Sequence, residues 1–293
     1  MDTTHIEAEA KAPPKEKKDD PTYKHSDDNV GIMRKSNTVT YIAHKGTLIV
    51  DPVSELPYTH YTAKGGEADN LTLKPALLKF KAEFPEIAAG VTIVEADGIF
   101  DTDDCKQETR TVLPKAQLYT PINPRRRKST PVEGVAGIKE IDPYGRPVCL
   151  SGHPLVLIGR DIKRGEYIWG CPCYHPRYGD ETLPCSEANH VACCNKARYG
   201  RCYRIKREMT PQINWENPQF ARRFINIYNH RSAIERVYSN LKEGYGYRRV
   251  HKRNRINVDA HSDRCILAMH MLAYFACQEG KRELMRSWSR MAA

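Results

Sequence analysis

The first 120 residues are built of short β-prone runs and one clear helical period. Asp2-Thr-Thr-His-Ile-Glu-Ala alternates polar and β-branched positions and predicts a strand. Asn37–His44 and Gly46–Asp51 predict two more, and Leu56–Ala63, rich in Thr and Tyr, a fourth. Leu73, Leu77, Leu78 and Phe80 share one side of a helix predicted over Leu71–Phe84, with Asp69-Asn70 to cap it and Pro85 to close it. Gly90-Val-Thr-Ile-Val-Glu-Ala-Asp97-Gly98 is a nearly continuous apolar run ending in an acid, the pattern of a strand buried on both faces. A helix over Asp101–Arg110 and a strand from Ala116 follow. Strands succeeded by alternating helices and strands predict an α/β fold, a mixed sheet with flanking helices.

Two stretches break this pattern. Residues 10–36 are rich in Lys, Asp and Pro, lack periodicity, and predict a mobile loop. Residues 125–210, after the basic run Pro124-Arg-Arg-Arg-Lys128, are rich in Gly, Pro, Cys and aromatics and predict an insertion of short strands and turns. The expected organisation is therefore a first part of the core at 1–124, a Cys-rich insertion at 125–210, and a helical remainder of the core at 211–293.

The strongest helical signal runs from Pro218 to Gly244, with no internal proline. With Tyr228 at zero and about 100° per residue, Arg231 falls near 300°, Lys242 near 320° and Glu235 near 340°. Ile227, Ile234, Val237 and Leu241 fill the adjoining arc of roughly 180° to 260°. Glu235 thus lies at the seam between an apolar face and a basic one. The plainer reading of such a Glu is a surface pair with Arg231 four residues earlier. A last helix is expected over Ala260–Cys277.

Charge sharpens this. The chain carries a net charge of +10, and from Arg201 onward 19 Lys and Arg face 8 Asp and Glu, so the first 200 residues are close to neutral. A basic C-terminal third, including Arg248, Arg249, Lys252 and Arg253, suits a polyanionic partner. No signal-peptide pattern or long apolar run is seen, so a cytoplasmic protein is expected. Seven of the ten cysteines lie between Cys149 and Cys202. In that setting Cys171, Cys173, Cys185, Cys193, Cys194 and Cys202 are candidate ligands of one structural Zn²⁺. The Cys-x-Cys spacing is not that of a zinc ribbon, and buried free thiols explain it equally well.

Three acids stand at element ends: Asp2 on the first strand, Asp97 closing the buried one, and Glu235 on the late helix. Converging carboxylates make a hard oxygen site suited to Mg²⁺ or Mn²⁺, and such ions activate water or a hydroxyl at a phosphodiester. Asp101 is read as the N-cap of the helix it precedes.

The spacing Tyr228, Arg231, Glu235, Lys242 resembles the Y-R-E-K signature of bacterial insertion-sequence transposases, DDE enzymes with a ribonuclease-H-like core. Asp2-Thr-Thr-His-Ile and Val94-Glu-Ala-Asp97-Gly-Ile-Phe-Asp101 resemble the segments around that family's first two acids. The resemblance covers roughly 1–10, 37–124 and 215–275. It implies that Asp2, Asp97 and Glu235 hold the catalytic Mg²⁺ or Mn²⁺. It also implies that Arg231 and Lys242 contact DNA phosphates, that Tyr228 positions the strand, that the partner is double-stranded DNA at transposon ends and target, and that the active form is a homodimer. It implies an insertion between the second and third acids that helps grip the transposon end. Asp2 directly follows Met1, whereas the family presents its first acid well inside a strand. Either truncation at the N-terminus or an upstream part on a separate chain is therefore expected, with weak or absent transposition. The alternative is a non-catalytic, zinc-stabilised nucleic-acid-binding protein or a decayed transposase.

Overall fold

The computed structural model describes residues 1–10, 27, 29–34, 40–125, 127–173, 201–251 and 253–286. These form two compact units, Met1–Tyr119 with Asn229–Ala293, and Thr120–Tyr228. The α/β class expected from the sequence is what the chain adopts.

In the first unit, β1 (Asp2–Ala8) pairs antiparallel with β3 (Thr40–Val50), placing Asp2 opposite Leu48 and Thr4 opposite Gly46. The other edge of β3 carries β2 (Gly31–Arg34) and β4 (Pro57–Lys64), both antiparallel. A Cβ on Gly31 would collide with the Gly66 backbone nitrogen, so only glycine lets these backbones approach. After α1 (Leu73–Glu83) and α2 (Pro85–Gly90), the parallel pair β5 (Ile93–Glu95) and β6 (Gln117–Tyr119) flanks α3 (Asp103–Val112). The Met1 nitrogen donates to the Glu95 carbonyl across 2.6 Å, so the start of β1 meets the end of β5.

Successive strand residues point to opposite faces, and each face of this sheet has its own core. Ile49 packs among Leu73, Leu77, Phe80, Phe100 and Leu118, while Leu48 and Ile6 lie with Ile234, Val237, Tyr238, Leu241, Val258 and Met269.

The second unit holds two small antiparallel sheets. One is β7 (Thr130–Pro131), β8 (Ile138–Ile141) and β9 (Pro147–Cys149); the other is β10 (Val156–Asp161), β11 (Glu166–Gly170) and β12 (Cys202–Lys206). Its core is aromatic: Tyr167 and Trp169 are fully buried, and the Tyr167 ring meets Trp215 edge-on with centroids 5.0 Å apart. The unit closes with α4 (Arg222–Tyr228). It takes in Ile213–Tyr228, a stretch the sequence pattern had grouped with the core, because Ile213, Trp215 and Phe220 pack against Trp169 and its neighbours.

The first unit then resumes with a 3₁₀ turn (Asn229–Arg231), α5 (Ser232–Gly244), β13 (Arg249–Val250) parallel to the far end of β1, and α6 (Arg255–Gln278).

Several elements differ from expectation for local reasons. The helix predicted from 218 to 244 is interrupted at 229–231, where Asn and His are weak helix formers and the Ser232 hydroxyl donates to the Asn229 carbonyl across 3.2 Å. The strands predicted either side of Lys45 are one strand of 11 residues. Pro85 opens a short helix instead of ending the chain's helical run, since its fixed φ suits the first helical position. That helix consumes Gly90 and leaves β5 with only three residues. Asp69-Asn70 opens a 3₁₀ turn and makes no side-chain cap. The helix after Asp101 is capped by Thr102, whose hydroxyl accepts from the Cys105 amide at 3.1 Å, while Asp101 pairs with Lys106 at 3.0 Å. The last helix begins at Arg255, with the Asn254 side chain accepting from the Asn257 amide. Within the stretch read as a loop at 10–36, β2 is a strand; residues 11–26, 28, 35 and 36 lie outside the described residues.

Candidate active site

Asp2, Thr4 and Ile6 alternate along β1 and so share one face. Ile6 on that face is fully buried against the apolar side of α5. Packing of Ile6 therefore sets where Asp2 and Thr4 stand relative to the polar residues of the same helix. Asp2 accepts a hydrogen bond from the Thr3 amide at 2.8 Å. Burial pushes its carboxyl above the ordinary carboxylate range, and the Thr3 amide and Arg231 offset this only in part.

Asp97 stands two residues beyond β5. Its carboxylate accepts from the Gly98 amide at 2.7 Å and caps a 3₁₀ turn over Gly98–Phe100. That local bond fixes the side chain at the strand end. Glu235 lies in the first turn of α5, where a carboxylate is favoured by the helix dipole.

One guanidinium gathers all three acids. Arg231 Nη1 donates to Glu235 Oε1 at 2.9 Å, and Nη2 donates to Asp2 Oδ2 at 3.1 Å and lies 3.8 Å from Asp97 Oδ1. The surface pair between Arg231 and Glu235 thus exists, as the plainer reading holds, but it is part of a three-carboxylate cluster. Asp2 and Arg231 are mostly covered, at 18% and 16% side-chain exposure, whereas Asp97 and Glu235 open to solvent at 50% and 63%. Among the described residues no three His, Cys, Asp or Glu side chains already form a group able to hold a metal ion. The acids are spaced by the guanidinium between them.

Lys242 reaches the same strand face: its ammonium donates to Thr4 Oγ1 at 2.5 Å and lies 5.8 Å from the centre of the Tyr238 ring. Compared with protein-family models, characterised proteins and solved structures, the chain matches none.

The other expected DNA contacts are distributed differently. Tyr228 belongs to the second unit, where its ring stacks on Phe224 with centroids 5.7 Å apart and planes inclined by 16°. Arg249 sits opposite Glu7 at the far end of β1, five residues from Asp2, and the Arg248 carbonyl accepts from the Glu7 amide. Arg253 donates to the Glu9 carbonyl at 3.3 Å. Lys252 lies outside the described residues. Arg231 and Lys242 are thus at one end of β1, and Arg248, Arg249 and Arg253 at the other.

Of the candidate zinc ligands, Cys171 and Cys173 are buried and Cys202 is exposed, at the position where β12 faces Gly170. Cys185, Cys193 and Cys194 lie outside the described residues. Cys149, not among the candidates, is buried in the same core as Cys171 and Cys173.

Pattern reading missed Tyr238. Its hydroxyl donates to the Asp2 carbonyl at 2.7 Å and accepts from the Leu48 amide at 3.2 Å. It joins α5 to both strands behind the acid cluster. Burial pushes its phenol well above the ordinary value. A signal existed: at about 100° per residue Tyr238 falls near 280°, between the apolar arc and Arg231.

Proposed function

We propose that the first unit is the catalytic core of a DDE-type transposase, cleaving DNA and transferring strands at transposon ends. One observation carries this reading. Acids 95 and 138 residues apart along the chain, expected from sequence to share a site, all reach the Arg231 guanidinium. The topology supports it: antiparallel β4, β3 and β1 adjoin a parallel β5–β6 pair, the arrangement expected of a ribonuclease-H-like core.

Three carboxylates are a hard donor set that fits Mg²⁺ or Mn²⁺, and Asp2, Asp97 and Glu235 would hold the ion. Bound there, it would supply Lewis-acid activation of the attacking water or hydroxyl and stabilise the leaving oxygen. The chain's own residues do the rest. Asp97 is fixed by the Gly98 amide, Asp2 by the Thr3 amide and by Tyr238 behind it, and Lys242 presents an ammonium at Thr4, on the strand face that carries Asp2, for a DNA phosphate. Arg248, Arg249 and Arg253 add positive charge for DNA at the far end of β1, Arg249 on the sheet face opposite Asp2 and Thr4. Double-stranded DNA is the partner, a homodimer the active form, and the Cys-rich unit, with or without Zn²⁺, a grip on the transposon end.

The second reading, a non-catalytic nucleic-acid-binding protein, is favoured by Arg231 itself, because a salt-bridged cluster can be purely structural. Strand nicking separates the two. A duplex made from the DNA that flanks the coding sequence is incubated with the full chain and Mg²⁺ or Mn²⁺. Metal-dependent nicks that vanish in Glu235→Ala, with DNA binding retained, support the transposase. DNA binding that needs Zn²⁺, with no nicking under any metal, overturns it.

A further inference from the structure

The three carboxylates carry a formal charge of −3; the guanidinium leaves −2 of it uncompensated, whereas a divalent cation in its place would leave −1. The guanidinium cannot relieve the mismatch by titrating, since arginine stays protonated at any working pH. It holds the acids at 2.9 to 3.8 Å from its nitrogens. Carboxylate oxygens on Mg²⁺ stand at roughly 2.0–2.1 Å. With the guanidinium between them, the three acids form no metal-holding group among the described residues, so an ion that draws them together takes the place of the guanidinium.

We infer that Arg231 is the resident counter-ion of this site and is displaced when a divalent cation enters. This rests on the metal-site reading above and adds to it a mechanism of loading. The exposed sides of Asp97 and Glu235 give the ion its approach, while the covered Asp2 and Arg231 form the back of the site. Arg231 ends the 3₁₀ turn at 229–231, just before α5 begins. Once displaced, the guanidinium is released beside the loaded metal, where a phosphate would be its next anionic partner. The exchange couples metal loading to the creation of a phosphate contact, and keeps the three carboxylates partly compensated until metal arrives.

The test uses the full wild-type chain, Mn²⁺ and phenylglyoxal, which modifies accessible guanidinium groups. Mn²⁺ binding is followed by electron paramagnetic resonance, and labelling at each arginine by peptide mass spectrometry. The expected result is a severalfold rise in Arg231 labelling at saturating Mn²⁺, with Arg164, 67% exposed in the other unit, unchanged as the reference. Arg231→Gln should bind Mn²⁺ at least about tenfold more tightly, equivalent to about 1.4 kcal/mol. Unchanged Arg231 labelling while Mn²⁺ is bound overturns the exchange and leaves the metal site standing. No Mn²⁺ binding by either the wild type or Arg231→Gln overturns the metal site and the exchange with it.

Discussion

The Tyr238 hydroxyl donates to the main-chain carbonyl of Asp2 across 2.7 Å, joining residues 236 positions apart. It also accepts from the Leu48 amide, so one buried phenol ties α5 to two neighbouring strands at the point where the first acid is presented. Tyr238→Phe should keep the ring's packing and lose both bonds, leaving a buried amide unsatisfied. The expected cost is about 1–3 kcal/mol in urea unfolding. Metal-dependent nicking should fall further than DNA binding does, because Asp2 loses its backing while the basic residues stay in place. Equal losses in both would mean that Tyr238 acts on the whole fold and not on the acid.

Lys242 presents its ammonium beside Thr4, on the strand face that also carries Asp2. If it meets a DNA phosphate, Lys242→Gln should weaken binding to all duplex sequences alike. The slope of log affinity against log salt should shrink by about 0.9, the share of one phosphate contact. Mn²⁺ affinity should change little. A filter-binding series in rising KCl measures the slope, and an unaltered slope removes Lys242 from the interface.

Glu55 gives the clearest pH dependence. Its carboxylate is buried in the turn between β3 and β4, with φ of 57°, and accepts from Arg236 of α5 at 2.6 Å and 2.9 Å. Burial alone would raise its pKa, but the bonds from Arg236 and Arg286 outweigh it and hold the group below its ordinary 4.5. A depressed pKa in the folded state means stability that is fully present above 4.5 and is lost as pH falls through the lower folded value. Glu55→Gln should therefore cost about 1 kcal/mol at neutral pH, since both arginines are about half exposed and screened. The difference from wild type should shrink towards zero in acid, as thermal melts at a series of pH values would show.

Gly46 lies in β3 opposite Thr4. A Cβ there would stand 2.6 Å from the Tyr247 hydroxyl and 2.9 Å from Ile6 Cδ1, and both of those side chains are fully buried. Gly46→Ala should cost roughly 1–3 kcal/mol through overpacking. Because Ile6 positions β1 against α5, Mn²⁺ binding should weaken as well. A variant as stable as the wild type would show that the Tyr247–Ile6 contact can yield.

Local pattern was a good guide to much of this. The alternation at Asp2–Ala8, the apolar period of α1 and the amphipathic run around Glu235 each depend on neighbours within one or two turns, and each became the expected kind of element. Boundaries were less legible, because Pro85 can close one helix or open the next, and Asn229-His230 disfavour helix only weakly. The identity of the three acids was legible from their places at element ends.

What lay beyond the sequence was their common partner. Periodicity paired Arg231 with Glu235 one turn away, but nothing local ties Arg231 to Asp2, 229 residues earlier, or to Asp97. Those contacts exist because Ile6 and Leu48 bury against Ile234, Val237 and Leu241, which brings β1 and α5 together in a single register. The sequence by itself determined which side chains line each face of a strand or helix, since backbone geometry repeats every two or about 3.6 residues. Only the tertiary structure decided which faces meet, since that depends on how complementary apolar surfaces far apart in the chain pack together. The break at 229–231 has a local cause in the weak helix formers Asn229 and His230, and it falls where one compact unit ends and the other resumes.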